Sequence, residues 1–198
     1  MEALYKTLPE EYVADLLDGA ILFRNLVYFI TVEADPRTDV YEGRHVDAPD
    51  HPVLLLLEDG REISGQLEFH NTVRYPERIF CFCTSTHQTP GIIKFGNACI
   101  RIHDPIEFKK RLTAALARRH QLSRLERPFL TARPVDYYAT MEAAPVDITN
   151  PKQLPFLKRT TYIDEAEFRF VFAKRGGYEG SVREVLQKPL RRLVMVCG

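Results

Sequence analysis

Tryptophan is absent, and no apolar run approaches the ~20 residues that a membrane-spanning helix needs. The longest such run, "VLLLL" at 53–57, has only the length of a strand. The opening stretch "MEALYKTLPEEY" is acidic and lacks the basic-then-apolar order of an export signal. Together these absences lead us to expect a cytoplasmic protein without membrane contact. Cysteine is scarce: Cys81, Cys83, Cys99 and Cys197 are too few and too irregularly spaced for a disulfide framework, so reduced thiols are expected. Paired CxxC or Cys/His spacings, which a structural zinc site requires, are missing as well. Net charge is also lacking, since 27 basic residues balance 27 acidic ones. That balance hides a division. Residues 1–99 carry 8 Lys and Arg against 16 Asp and Glu, whereas residues 100–198 carry 19 against 11. Charge segregation along a chain is only a hint of segregation over its surface, because the halves can interleave.

What is present fits one core. A chain of 198 residues supports a single domain, here taken as 1–198. Thirteen prolines and ten glycines spread along it suggest many short elements joined by defined turns. "TLPEEYVADLLDG" (7–19) reads as a short helix, with Pro9 and two glutamates in its first turn and Gly19 past its end. "AILFRNLVYF" starts as a strand. "VLLLLEDGREISGQLEF" reads as a hairpin around Asp59-Gly60. Asp104 is placed to cap "PIEFKKRLTAALARRH", with Pro105 at the first helical position and Glu107 as box partner. Phe108, Leu112, Ala115 and Leu116 share one face of that helix. "PVDYY" suggests a strand and "PFLKRTTY" a helical turn; "EAEFRFVFAK" (165–174) and the final "RRLVMVCG" read as strands. The expected fold class is α+β, a mixed and mostly antiparallel sheet with two or three helices.

Two strands have unlike faces. In "IFCFCTST" (79–86), Phe80 and Phe82 point one way, ahead of Thr84 and Thr86; Ile79, Cys81, Cys83 and Ser85 point the other. In "EAEFRFVF", Phe168, Phe170 and Phe172 fill one side while Glu165, Glu167 and Arg169 share the opposite side. Two carboxylates on one strand face lie ~7 Å apart and can serve a polar cleft. They can equally decorate a solvated sheet face, with Arg169 pairing Glu167. "LYK" (4–6) and "LFRN" (22–25) each end an apolar segment in a cation, suited to phosphate or to plain solvation. Thr84, Ser85 and Thr86 can bond locally to cap the strand end.

In order, these features resemble the layout of ADP-ribosyltransferases. An early "LYK" segment, a strand ending Thr-Ser-Thr and a late Glu-x-Glu strand follow one another, and "ALYKTLPEEYVADLLDGAILF" is similar to that family's opening strand, helix and glycine. The late "FLKRTTYIDEAEFRFVF" is also similar to an uncharacterised bacterial family with a Lys, an aromatic and a Glu-x-Glu-x-Arg strand. Lys6 stands where ADP-ribosyltransferases carry Arg or His, and Thr84-Ser85-Thr86 replaces Ser-Thr-Ser. The resemblance implies an ADP-ribosyltransferase-like fold and NAD as substrate, with ADP-ribose passed to a macromolecular acceptor in a toxin or phage-conflict setting. Under it, Glu167 steadies the ribose cation and Glu165 addresses the acceptor; Lys6 and Arg24 hold the pyrophosphate, and Ser85 with Thr84 supports the ribose or the glutamate.

Other segments offer different chemistry. Residues 109–133 carry eight cations (Lys109, Lys110, Arg111, Arg118, Arg119, Arg124, Arg127 and Arg133) against Glu126 alone. That density suits a nucleic-acid or acidic partner and supports the alternative of a non-enzymatic binding module, although Phe129 is its only aromatic. A third class is a metal-assisted hydrolase using Glu165 and Glu167. "HVDAPDH" places His45, Asp47, Asp50 and His51 close together, and Cys83 lies near His87, each a weaker candidate for a metal or a nucleophile.

Overall fold

A computed structural model describes residues 2–31, 43–47, 51–66, 68–119, 130–139, 152–173 and 180–197. The chain begins with β1 (Leu4–Leu8), a 3-10 turn (Glu10–Tyr12), α1 (Val13–Leu17), β2 (Ala20–Asn25) and α2 (Leu26–Thr31). Next come β3 (Arg44–Asp47), β4 (Val53–Leu56), β5 (Glu62–Gly65), β6 (Phe69–Thr72), β7 (Ile79–Ser85), α3 (Pro90–Ile93), β8 (Ala98–Ile102) and α4 (Pro105–Arg119). The last third carries β9 (Leu130–Pro134), β10 (Asp136–Tyr138), β11 (Leu157–Arg159), β12 (Glu167–Ala173), β13 (Ser181–Val185) and β14 (Val194–Val196). The class is α+β with a mostly antiparallel sheet, and four helices are found among the described residues rather than two or three.

The main sheet runs β13-β2-β7-β1-β8-β14, and β12 joins β7 to β9. Its pairings are antiparallel; β10 and β11 form a separate parallel pair. Phenylalanine alternation decides which face becomes the main core. Phe80, Phe82, Phe168, Phe170 and Phe172 all turn to one side, where Phe108, Leu112 and Leu116 of α4 meet them. Phe108 stands edge-on to Phe170 with centroids 5.3 Å apart, a favoured geometry for aromatic pairs. Behind the opposite face, Cys81 and Val171 join Leu26, Tyr138, Phe156 and Leu157 in a second, smaller core.

Local sequence signals act where expected, with two differences. Gly19 ends α1 at φ +98, a conformation that suits a residue without Cβ. Residues 7 and 8 belong to β1, and the helix is short because Pro9 and a 3-10 turn precede it. Asp104 Oδ1 accepts the Glu107 N–H at 2.9 Å, as a cap should. The Glu107 carboxylate, however, accepts from Arg111 Nε at 2.9 Å instead of reaching back to close a capping box. The hairpin forms around Asp59-Gly60 with Leu56 opposite Glu62. The last strand, β14, pairs with β8, and β13, which had no clear sequence signal, pairs with β2.

A methyl group on Gly96 would press into the backbone carbonyl of Leu8 and the nitrogen of Pro9, neither of which can rotate away. Gly96→Ala is therefore expected to cost about 3 kcal/mol, lowering the melting temperature by roughly 10 °C. A melting temperature unchanged within a degree would contradict this close approach of the two strands.

Candidate functional site

The sheet is interrupted along one edge of β7. β12 covers the other edge from Ile79 to Ser85 without a break. On the open edge β2 takes Phe80 and Cys81, while β1 takes only Ser85. Between them the strands diverge at Cys83, whose carbonyl accepts from Lys6 Nζ at 2.9 Å instead of from a strand. Pro9–Gly19, with α1, spans the gap between β1 and β2. A cavity of about 560 Å³ opens there. Its lining includes Lys6, Arg24, Thr84, Ser85, Glu165 and Glu167, so the six residues singled out from sequence meet in one cleft.

The floor of the cleft explains the mismatched faces of β7. Where β7 backs the second core it presents Ile79 and Cys81; toward the cleft it presents Cys83 and Ser85. Ser85 lies directly across from Glu167, and Cys83 across from Arg169. Small side chains on β7 thus leave room for the long charged ones on β12.

Those charged residues do not face bulk solvent: Glu165, Glu167 and Arg169 are 4%, 6% and 2% exposed. They belong to a chain of alternating charge. Lys94 Nζ donates to Glu165 Oε1 at 2.9 Å, and Lys158 Nζ to Glu165 Oε2 at 2.7 Å and to Glu167 Oε2 at 3.1 Å. Arg169 then grips Glu167 with both arms of its fork, Nε to Oε1 at 2.8 Å and a terminal nitrogen to Oε2 at 2.9 Å. Its other terminal nitrogen donates to the Pro155 carbonyl at 2.6 Å. Lys158 and Arg169 balance the two carboxylates on the cleft floor, and Lys94 joins the chain from outside the lining. Buried charges persist only when paired and hydrogen-bonded in this way.

Burial alone would raise the pKa of Glu167, but Arg169 and Lys158 outweigh it and hold the carboxyl well below the usual carboxylate range. Burial, reinforced by the negative charge of Glu167, pushes the Cys83 thiol well up. A thiolate nucleophile at Cys83 is thereby disfavoured. Burial likewise raises the Tyr137 phenol to about 12. Its hydroxyl accepts the backbone N–H of Glu167 at 2.8 Å, fixing the start of β12.

Several sequence expectations need correction. Glu165 does not share the strand with Glu167. It ends a 3-10 turn, and Ala166, at φ 43, breaks the run before β12 begins. Lys158, rather than strand geometry, brings the two carboxylates together. Thr84 turns its hydroxyl to the Phe168 carbonyl at 2.9 Å, which spends it inside the sheet. Ser85 Oγ donates to the His87 carbonyl at 2.6 Å, and Thr86 Oγ1 lies 3.2 Å from the Ala166 carbonyl, which accepts from it. The Thr-Ser-Thr end therefore bonds locally and pins the turn carrying Glu165 to the end of β7. Arg24 lays its guanidinium over Tyr28 at 4.5 Å on the cleft wall.

Sequence reasoning did not assign roles to Lys158, Lys94 or Tyr137. Lys158 was visible only as the lysine of "FLKRTTY"; Lys94, 71 positions from its partner, gave no signal. Of the weaker candidates, His45 is buried against Tyr138 at 4.7 Å, and Asp50 and the side chain of Asp47 lie outside the described residues. Among the described residues no group of three His, Cys, Asp or Glu stands ready to hold a metal. On α4, Glu107 engages Lys110 and Arg111, and the helix sits on the sheet face opposite the cleft. Arg118 is exposed; Arg124 and Arg127 lie outside the described residues, as does the side chain of Arg119. No helix is long and apolar enough to cross a membrane among those described.

Removing Lys158 leaves each carboxylate one partner short. Lys158→Met is expected to cost about 3 kcal/mol in urea unfolding, near the lower end for breaking a buried pair. The depressed pKa of Glu167 also sets a pH dependence. Its stabilisation is complete above the unfolded value of ~4.3 and is lost as pH falls toward the lower folded value. Unfolding free energy should thus decline below about pH 5, and more gently in Glu167→Gln; identical acid slopes would refute the pairing.

Compared with known protein families, curated proteins and solved structures, the chain matches none.

Proposed function

We propose that the cleft takes NAD and that the chain transfers ADP-ribose from it to a macromolecular acceptor. The supporting observation is the convergence of Lys6, Arg24, Ser85, Glu165 and Glu167 on one cavity of about 560 Å³, large enough for much of a dinucleotide. Lys6 and Arg24 in the lining suit a pyrophosphate, and Tyr5, Tyr28 and Phe95 supply faces for flat rings. In the reaction the C–N bond to nicotinamide breaks, and the electron pair leaves with the ring. The ribose carbon becomes positive before the acceptor's oxygen or nitrogen attacks it. Glu167 stands as a permanently ionised carboxylate to stabilise that charge. Its longest contact, Lys158 at 3.1 Å, is the one a ribose hydroxyl replaces.

The geometry redistributes the remaining roles. Glu165, clamped by two lysines, anchors Lys158 rather than serving as a free base. Ser85 supports the Glu165–Glu167 turn and not the ribose directly. Arg24 and Lys6 are the pyrophosphate ligands. This reading puts the acceptor at the open side of the cleft, beside α3 and Phe95.

The test follows nicotinamide release during incubation with NAD. Glu167→Gln should slow release at least about 100-fold, with circular dichroism confirming its fold. Arg24→Ala, at a partly exposed position, should raise KM about tenfold while leaving kcat nearly intact. Wild-type protein that releases no nicotinamide, or equal rates in Glu167→Gln, overturns the proposal.

A second reading rests on the exposed cations of α4, where Lys110 is 80% exposed. It makes the chain a nucleic-acid-binding module. An oligonucleotide shift that weakens with salt and is lost in Arg118→Ala/Arg119→Ala would support it; binding indifferent to salt would reject it.

A further inference from the structure

The edge strand β14 is held by β8 through Val194–Ile102, Met195–Arg101 and Val196–Ile100. Continuing that register by one step places Cys197 directly opposite Cys99, and the Cys197 N–H donates to the Cys99 carbonyl at 2.8 Å. Opposed residues of an antiparallel pair have Cα atoms ~4.5–5.5 Å apart, inside the ~4.4–6.8 Å that a disulfide spans. Strand alternation sends both side chains to the same face, away from Ile100 and the main core. The Cys99 thiol donates to the Ile100 carbonyl at 3.9 Å, and both cysteines are half-buried rather than sealed. Across β8 the next residue in the row is Thr7, which lines the cleft.

We propose that Cys99 and Cys197 form a dithiol site that peroxide converts to an intramolecular disulfide, locking the terminal edge strand to the sheet. The oxidant is hydrogen peroxide. Sulfur of Cys197 attacks one peroxide oxygen, breaking the O–O bond to give a sulfenic acid and a molecule of water. Sulfur of Cys99 then attacks the sulfenic sulfur, forming the S–S bond and expelling a second water. Two thiols are oxidised, the peroxide is reduced, and both thiol protons leave in water. Burial pushes the Cys99 thiol up to about 12, which disfavours Cys99 as the sulfur that meets the oxidant first. The other two cysteines are not competitors. Cys81 and Cys83 sit two residues apart on one strand, pointing the same way ~7 Å apart, whereas a disulfide needs Cβ atoms ~3.8 Å apart.

The site is independent of what occupies the cleft, and its test needs no activity. The folded chain is treated with hydrogen peroxide, remaining thiols are capped with a maleimide in denaturant, and the protein is digested without reductant. The expected result is two capped thiols instead of four, a cross-linked peptide joining Cys99 to Cys197, and a melting temperature raised by roughly 5–10 °C that dithiothreitol reverses. Cys197→Ser should melt like the reduced wild type and show no rise with peroxide. Four thiols still cappable, sulfinic acid at Cys197 without a cross-link, or a linkage to Cys81 or Cys83 would each overturn the proposal.

Discussion

The alternating charges from Lys94 through Glu165, Lys158 and Glu167 to Arg169 are what the rest of the site depends on. Each member would be costly to bury alone. Together they link α3, the 3-10 turn before β12, β11 and β12 itself. The bidentate grip of Arg169 fixes the plane of the Glu167 carboxylate, and the Tyr137 hydroxyl fixes its backbone. The pairing contributes less net stability than its Coulomb energy suggests, because four of its five ionic groups first had to be desolvated. What it supplies is a single arrangement of charge around Glu167, whose carboxyl is held well below the usual carboxylate range.

That arrangement exists only because the sheet divides its two faces between different tasks. The phenylalanine side of β7 and β12 is closed by α4 and provides ordinary apolar burial. On the reverse side, one end packs against Tyr138, Phe156 and Leu157, and the other end is left as a cleft by the divergence of β1 from β2. A continuous edge pairing would have filled the space that Lys6 now reaches across. Cys83 and Ser85 are small for the same reason: their cross-strand neighbours are a buried arginine and a buried glutamate.

Elements with strong local signals were legible at once. The hairpin at Asp59-Gly60, the capped helix at Asp104, the glycine that ends α1 and the period-two phenylalanines each rest on interactions within a few residues. β13 was harder, since a short strand is defined by what it pairs with. At the site, Glu-x-Glu on an apolar strand was a visible anomaly. Its surface reading failed because alternation alone does not show whether a face is covered. Glu165 was assigned to the wrong element, as nothing in "DEAEF" announces the left-handed turn at Ala166.

The amino-acid order by itself determined the class of the fold, the apolar faces that had to be buried and the residues unlike their neighbours, because each follows from backbone periodicity and local bonding. Only the tertiary structure decided that those residues share one hollow, that Lys94 and Lys158 complete their charges, and that Cys99 faces Cys197. These are meetings across 71, 7 or 98 positions of chain. Their geometry comes from strand register and from the requirement that every buried charge find a partner, and neither is written in any short stretch of sequence.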